Sequence, residues 1–139
     1  MAQFVHEVMT PAVASLGPDA SLVEAAQLMR AQDIGDVLVA LDGVLLGVVT
    51  DRDIALRAVA EGLDPLTVEC QAVCTPDPVC VAPEEEVGTA ARLMRDHAVR
   101  RLPVVSGRGV VGVVSLGDLA QDQEPGSALA EISRAAPDS

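Results

Sequence analysis

Two short motifs offer residue types from which a polar ligand site could be built. Thr50-x-x-Asp53 and Ser115-x-x-Asp118 each place a carboxylate three residues after a hydroxyl. A carboxylate can accept hydrogen bonds from two hydroxyl groups at once, and each such charge-assisted bond contributes roughly 1.5–3 kcal/mol. The hydroxyl, beside the free amides of a helix N-terminus, can face a phosphate. The same spacing is also typical of a plain helix cap with an acidic residue in its first turn, and this alternative stays open.

A cluster of arginines could add affinity for an anion. All nine basic residues of the chain are Arg, and the planar guanidinium matches phosphate or carboxylate. Arg100 and Arg101 directly precede a predicted buried strand and are the main phosphate candidates, with Arg52 in the first motif as a third. Arg92 and Arg95 fit a solvated helix face, paired with nearby acidic residues, as well as they fit a phosphate site.

No pattern typical of catalysis accompanies these motifs. The sequence has no Gly-x-Ser-x-Gly, Walker or His-Glu-x-x-His motif, and its cysteines and two histidines show no nucleophile–base spacing. Cys70, Cys74 and Cys80 are odd in number and lie far along the chain from both histidines. We therefore expect reduced, partly buried thiols and no metal. A metal site is the alternative interpretation, but no further ligand lies near the cysteines at zinc spacing. We also expect no cofactor and no enzymatic activity.

The two motifs are copies of each other, because the chain is a tandem duplication. Residues 8–55 align without a gap with residues 73–120, each matching the residue 65 positions later, with 15 identities. Two copies are too few for a solenoid, so they should pack face to face. The first copy has no counterpart of Arg100 and Arg101, so the two sites should not be equivalent.

The first copy predicts a helix followed by a hairpin. Ser21 and Glu24 form a capping-box pattern ahead of apolar residues at helical spacing, which predicts a helix over residues 22–33. The apolar run 37–49 is broken by the turn signal Asp42-Gly43, which predicts a hairpin of two buried strands.

A second helix should complete each copy. In the first copy it should follow Thr50 and end near Glu61, before the stop signal Gly62. In the second copy, strands are predicted over 102–105 and 110–114 around a Gly-Arg-Gly turn, with a helix after Ser115. The predicted domain boundaries are repeat 1 at residues 8–62, a linker at 63–72, repeat 2 at 73–121 and a polar C-terminal tail at 122–139.

Composition restricts the partners. Half of the residues are apolar and Phe4 is the only aromatic residue, so bases could not be bound by ring stacking. The net charge of -12 repels nucleic acids and anionic membranes at long range. The N-terminus has neither the basic start nor the apolar run of a secretory signal, so we expect a cytoplasmic protein that binds neither nucleic acid nor membrane.

Both copies resemble the cystathionine-β-synthase-type (CBS) domain. In the first copy the similar residues are Thr10-Pro11, the Ala-Ala-x-Leu-Met helix, Ile34-Gly35 and the run from Gly47 to Ile54. In the second they are His97-x-x-Arg100-Arg101-Leu102-Pro103-Val104-Val105 and the run from Gly112 to Leu119. The resemblance covers residues 4–121. The whole chain also resembles the small two-CBS proteins of actinobacteria that are linked to hypoxic response.

The resemblance implies an α/β fold of two pseudo-twofold-related repeats, each β-α-β-β-α, that form one CBS-pair (Bateman) module. It also implies a cleft at each end of the repeat interface that holds an adenosine-containing ligand, with the motif carboxylates on the ribose hydroxyls. The arginines would then face phosphate. The predicted ligand-binding residues are Thr50, Asp53, Ser115, Asp118, Arg52, Arg100 and Arg101.

The implied function is regulatory sensing of a small molecule. The candidate ligands are AMP, ADP, ATP, S-adenosylmethionine and NAD. The alternative is a ligand-free dimerisation or adaptor module that acts through a partner protein. Aliphatic helix faces left uncovered in so small a pair predict a homodimer. Because the sequence shows no effector domain, we expect the output to pass through an unidentified effector protein.

Overall fold

The described residues form two compact units. A computed structural model of the chain describes residues 3–11, 14–107 and 109–121. Residues 14–78 form the first unit, and residues 3–11 together with 79–121 form the second. Both mix strands and helices, which confirms the predicted α/β class. The predicted tail at 122–139 lies outside the described residues. Among the helices of the described residues, none combines the length and the apolar composition that a membrane span requires.

The first unit is built around an antiparallel hairpin. Strand β2 pairs antiparallel with β3, β1 runs parallel to β2, and β4 runs antiparallel to β3. Helix α2 continues directly into a π-helical turn. The elements are β1 (Ser15–Leu16), α1 (Leu22–Gln32), β2 (Asp36–Leu41), β3 (Val44–Thr50), α2 (Asp51–Ile54) with the π-helical turn (Ala55–Val59), α3 (Cys70–Val73) and β4 (Thr75–Pro76).

The second unit repeats this plan. Its β5–β6 hairpin is flanked by a parallel bridge between Val81 and Val104 and an antiparallel bridge between Thr10 and Val113. These bridges occupy the places of β1 and β4 in the first unit. The elements are a 3₁₀ helix (Val5–Glu7), α4 (Val87–Asp96), β5 (Arg101–Ser106), β6 (Gly109–Ser115) and α5 (Leu116–Gln121).

The compact units and the sequence repeats divide the chain differently. Residues 4–10 correspond to residues 69–75 in the duplication, yet 4–10 belong to the second unit and 69–75 to the first. Phe4 forms a bridge with Glu86, and Glu69 forms the equivalent bridge with Ser21. Each hairpin is therefore completed by a segment that precedes the other copy in the sequence.

Local signals place most helix and strand ends where the sequence predicts them. The Ser21 amide donates to the Glu24 carboxylate (2.7 Å) and the Glu24 amide to Ser21 Oγ (3.2 Å), so α1 begins with the predicted capping box. It ends one residue early, because Asp33 adopts a left-handed conformation with φ 54°. Asp42 and Gly43 both have positive φ, as a type I′ hairpin turn requires.

Two further features differ from the prediction. Gly109 begins β6, so it belongs to a strand and not to the predicted turn. Helix α2 leaves α-helical geometry after Ile54, and the π-helical turn that follows is closed by the Ala60 amide donating to the carbonyl of Ala55 (2.8 Å). The sequence does not reveal this π-helical turn. A π-helix has about one more residue per turn than an α-helix, and over a single turn this difference does not change the spacing of apolar residues visibly.

Each unit has its own aliphatic core. Val5 is fully buried in the second core although it lies near the start of the chain, and Cys70 is fully buried in the first. Burying a valine side chain contributes about 1.5–3 kcal/mol. Packing in the cores therefore holds the segments 4–10 and 69–75 against their hairpins. The first core contains Leu22, Ala25, Met29, Val37, Val39, Val49, Ala58, Cys70 and Val73; the second contains Val5, Val81, Ala90, Met94, Leu102, Val104, Val114 and Leu119.

A close backbone approach at one glycine of each hairpin is testable. A Cβ atom on Gly47 would lie 2.7 Å from the carbonyl oxygen of Thr75, and one on Gly112 would lie 2.8 Å from that of Thr10. We expect Gly47→Ala and Gly112→Ala each to lower the free energy of unfolding by roughly 1–3 kcal/mol, measured by urea denaturation.

The control is Gly88→Ala on α4, where an added Cβ meets nothing within 4 Å. This change should be neutral or should stabilise the helix by about 0.5–1 kcal/mol. Equal effects at all three glycines would contradict the close approach.

Candidate functional site

The first motif lies where β3 passes into α2. Thr50 is the last residue of β3 and the N-cap of α2. The Asp53 amide donates to Thr50 Oγ1 (3.0 Å), and the Thr50 amide donates to Asp53 Oδ2 (3.0 Å). Both side chains are half-buried. The motif is therefore a complete capping box, as the alternative interpretation of its spacing expects.

The second motif has the same geometry at the junction of β6 and α5. The Asp118 amide donates to Ser115 Oγ (3.0 Å), and the Ser115 amide donates to Asp118 Oδ2 (2.9 Å). Both caps engage Oδ2, and a carboxylate offers about four lone-pair sites on its two oxygens. Capping fixes each carboxylate in place and is chemically compatible with binding a hydroxyl group.

The backbone of Arg100 is hydrogen-bonded to the first residue of α5. The Leu116 amide donates to the Arg100 carbonyl (2.8 Å), and in the first unit the Asp51 amide donates to the Gly35 carbonyl (2.9 Å). Arg100 is half-buried, whereas Gly35 carries no side chain. The second motif thus has a guanidinium-bearing residue where the first has none, which is the asymmetry that the sequence predicts.

Arg101 lies beside the second motif in the sheet. It is the first residue of β5 and pairs in register with Ser115, just as Asp36 pairs with Thr50 in the first unit. Its Nε atom is buried and the side chain is half-buried. The register therefore brings Arg101 next to the cap residue of α5.

The other candidate cations lie in solvent. Arg52 is exposed in the first turn of α2. Arg92 donates to Thr89 Oγ1 on its own helix (3.3 Å), and Arg95 pairs with Asp96 (3.3 Å), the two charged side chains being 73% and 61% exposed. For Arg92 and Arg95 the structure matches a solvated helix face.

One contact was not predicted. Arg57, in the π-helical turn, donates through Nη1 to the carbonyl of Val73 (2.7 Å), at the end of α3. It thereby satisfies a carbonyl that the last turn of the helix leaves without an intrahelical donor. No sequence signal identifies the pair, because its members lie 16 residues apart on different elements.

The three cysteines are free thiols. Cys70 is buried, and Cys74 and Cys80 are half-buried. Burial is the main cause that raises the pKa of Cys70, with smaller contributions from Cys74 and Glu24, and burial also raises the pKa of Cys80. Among the residues that the structure describes, no group of three or more His, Cys, Asp or Glu side chains could hold a metal ion.

Known proteins resemble this chain over most of its length. The family model described as CBS domain matches residues 5–59 and 70–123. The CBS domain-containing protein YhcV of Bacillus subtilis is 42% identical over 133 residues, covering 93% of this chain and 94% of that protein. Hypoxic response protein 1 of Mycobacterium tuberculosis is 34% identical over 117 residues, covering 84% of this chain and 82% of that protein.

A solved structure matches as well. The crystal structure of Hypoxic Response Protein I with two coordinated zinc ions has a TM-score of 0.81 and 33% sequence identity. The match covers 87% of this chain and 99% of that one. The shared fold therefore extends over both copies of the duplication.

The two caps can be tested by removing their hydroxyls. We expect Thr50→Ala and Ser115→Ala each to lower the free energy of unfolding by about 0.5–2 kcal/mol, because each leaves a helix N-terminal amide without its acceptor. Chemical denaturation measures the change. Ser106→Ala, at the exposed end of β5, is the matched control and should stay within about 0.5 kcal/mol of the parent protein. A similar loss in all three variants would argue against the caps.

Proposed function

We propose that this chain, which belongs to the CBS-domain family and is a CBS-pair regulatory module, senses an adenosyl ligand through its two hydroxyl–carboxylate motifs. The predicted resemblance to that family is confirmed by family matches on both copies. The observation that carries the proposal is the pair of half-buried carboxylates, Asp53 and Asp118, fixed by identical backbone contacts at equivalent strand–helix junctions.

Ribose is the part of the ligand that suits these carboxylates. A vicinal diol donates two hydrogen bonds to one carboxylate, and the caps hold Asp53 and Asp118 in a single orientation. Such preorganisation lowers the entropy lost on binding. Duplication supports this role, because a cap alone does not require Asp at the same position in both copies.

Phosphate recognition should differ between the motifs. Arg100 and Arg101 both lie next to Ser115. The Leu116 amide donates to the Arg100 carbonyl, and Arg101 pairs with Ser115 in the sheet. The first motif has Arg52, which is exposed on its own helix. We infer that the second motif favours a phosphorylated ligand such as AMP, ADP, ATP or NAD. The first motif has fewer positive groups and also suits S-adenosylmethionine.

Asparagine substitutions test the carboxylates with the fold preserved. Asp53→Asn and Asp118→Asn keep an oxygen that can accept the cap amide but remove the charge. We expect each to weaken adenosine and ATP alike at its own motif, by about tenfold to a hundredfold, as loss of a charged hydrogen bond predicts. Isothermal titration calorimetry measures both affinities. Glu24→Gln is the matched control, because Glu24 closes the same capping box on α1, which carries no candidate ligand residue.

The same titrations separate ribose from phosphate. Arg100→Ala with Arg101→Ala should leave adenosine nearly unchanged and weaken ATP by at least tenfold. Arg92→Ala with Arg95→Ala makes the same change in charge on the exposed face of α4 and should affect neither ligand. Equal loss of adenosine and ATP in the Arg100 and Arg101 variant would assign these residues a structural role.

The rival function is a ligand-free adaptor. A thermal-shift series with adenosine, AMP, ADP, ATP, NAD and S-adenosylmethionine distinguishes the two functions, since a ligand at a hundred times its dissociation constant stabilises by about 2.7 kcal/mol. No shift with any of them at millimolar concentration would favour the adaptor. Under either function we propose a cytoplasmic, non-catalytic protein whose output passes to an effector protein.

We further propose that two copies of the chain form a homodimer through α2 and the segment after it. Four large apolar side chains are exposed there: Leu56 (48%), Val59 (60%), Leu63 (45%) and Leu66 (68%). Two copies that each carry a net charge of -12 repel at long range, so they should meet through an uncharged surface. The part of this surface at residues 55–60 contains one charged side chain, Arg57, which donates to the Val73 carbonyl. Glu61 and Asp64 lie among the later residues and should stay at the rim of the contact.

Charged substitutions on this surface test the dimer. We expect a dimer by light scattering at about 100 μM, far above the dissociation constant of an ordinary stable interface. Leu56→Glu with Val59→Glu should yield monomer, because it would bury unpaired carboxylates. Leu41→Glu with Leu46→Glu adds the same charge on the exposed part of the β2–β3 hairpin and should remain dimeric. A parent protein that is monomeric at this concentration would refute the proposal.

A further inference from the structure

Helix α3 carries two thiols one helical turn apart. Cys70 is its first residue and Cys74 is its C-cap, and the Cys74 amide donates to the Cys70 carbonyl (2.9 Å). Residues four apart in a helix share one face. Both cysteines accordingly belong to the core of the first unit, Cys70 within it and Cys74 packed against it.

The two thiols contact the elements around α3. Cys70 Sγ is 3.6 Å from the Ser21 carbonyl oxygen, and Cys74 Sγ is 3.7 Å from that of Gln71. Cys74 Sγ also lies against β3, where a Cβ on Gly47 would be 2.9 Å from it. Thiols are weak hydrogen-bond donors, so these hydrogen bonds hold the two sulfur atoms only weakly.

Packing does not require thiols at these places. In the second unit the duplication puts Val5 where the first has Cys70, and Met9 where it has Cys74. Val5 is fully buried, and Met9 Sδ would lie 2.9 Å from a Cβ on Gly112. Valine and methionine thus pack at the equivalent positions of the second unit. What the first unit has in addition is the capacity for thiol chemistry.

We propose that Cys70 and Cys74 form a redox-sensitive dithiol, which hydrogen peroxide converts to a disulfide within α3. Peroxide oxidises the more accessible Cys74: a sulfur–oxygen bond forms, the peroxide bond breaks, and one water leaves as Cys74 becomes a sulfenic acid. The Cys70 sulfur then attacks Cys74 Sγ, forming the disulfide and releasing the second water. Two thiols are oxidised by two electrons, and peroxide is reduced to two water molecules.

The order of these steps follows from burial. Cys74 is half-buried and can meet peroxide, whereas Cys70 is enclosed. Burial raises the pKa of Cys70, and negative charge on Cys74 raises it further. Cys70 is therefore the less reactive of the two thiols towards peroxide. It acts as the resolving thiol, and its proton leaves with the hydroxyl group of the sulfenic acid as water when the disulfide forms.

The disulfide would deform the turn that connects α3 to β4, the strand that pairs with β3. Cα atoms one helical turn apart, at about 6 Å, lie within the range of disulfides, but the Cβ atoms must approach to about 3.8 Å. The Val73 carbonyl accepts from Arg57, and β4 begins at Thr75 and pairs with Gly47 and Val48 of β3. Oxidation therefore acts on the strand that ends at Thr50. Strained disulfides are the readily reduced ones, which suits a reversible modification.

Thiol counting after peroxide treatment tests the proposal on the unmodified full chain. We expect the parent protein to lose two of its three thiols together, with the intact mass lower by about two hydrogens and full recovery on adding dithiothreitol. Proteolytic mapping without reduction should find both missing thiols in the peptide that holds Cys70 and Cys74. On a non-reducing gel the protein should run as a single chain.

The second unit supplies matched variants. Cys70→Val and Cys74→Met carry the residues of the equivalent positions and so keep an apolar side chain at each place. Neither should lose two thiols. In Cys70→Val, the sulfenic acid on Cys74 should persist and react with dimedone. Cys80→Ser, which has Ser15 as its counterpart, should still form the bond. Three thiols surviving in the parent protein, a disulfide that includes Cys80, or one that joins two chains would each overturn the proposal. None of these outcomes bears on ligand binding.

Discussion

In each unit, the close passage of a chain segment over one hairpin glycine sets the position of almost everything else. The carbonyl of Thr75 lies against Gly47 and that of Thr10 against Gly112, at distances that leave no space for a Cβ atom. This contact allows β4 to pair with β3 and Thr10 to pair with Val113. It also brings Cys70 and Val5 into the two cores. The pairing of β4 and Thr10 at the strand edges, and the entry of Cys70 and Val5 into the cores, therefore depend on the same two glycines.

The duplicated scaffold holds dissimilar chemistry. Both strand–helix junctions have the same reciprocal cap, with heavy-atom distances between 2.9 and 3.0 Å. Around that constant element the side chains differ: Arg100 stands where the other unit has Gly35, and Cys70 where it has Val5. Backbone geometry was retained after duplication while the contacting side chains diverged. One fold therefore carries two junctions with different neighbouring charges, and a pair of thiols in one unit only.

The caps illustrate how structural and functional interpretations of one motif coexist. Thr50 and Asp53 satisfy backbone amides of the helix start, which is sufficient reason for both residue types. The same contacts orient the carboxylate and leave it acceptor capacity for a ligand. A capping box is therefore weak support for a binding site when it occurs alone. Its value here comes from equivalent burial and geometry in two units, and from the arginines attached beside one of them.

Local order was predictable from the sequence. The capping box of α1, the turn at Asp42 and Gly43, and the order of strands and helices all arise from interactions within a few residues. The family was predictable as well, since the motifs and the duplication are contiguous sequence patterns. The candidate motif residues were also identified from sequence, and the structure adds their reciprocal hydrogen bonds. The π-helical turn was missed, because its register depends on packing and not on the identities of its own residues.

By itself, then, the sequence determined the duplication, the elements and the residues at each strand–helix junction. Only the tertiary structure decided which hairpin the segments 4–10 and 69–75 complete. The Val5 amide donates to the Glu85 carbonyl, and the Cys70 amide donates to the Ala20 carbonyl, across long stretches of chain. It likewise decided that Arg101 lies opposite Ser115 and that Arg57 reaches the Val73 carbonyl. The reason is physical: periodicity and capping reflect short-range interactions, whereas the pairing of distant segments follows from apolar burial summed over a whole unit.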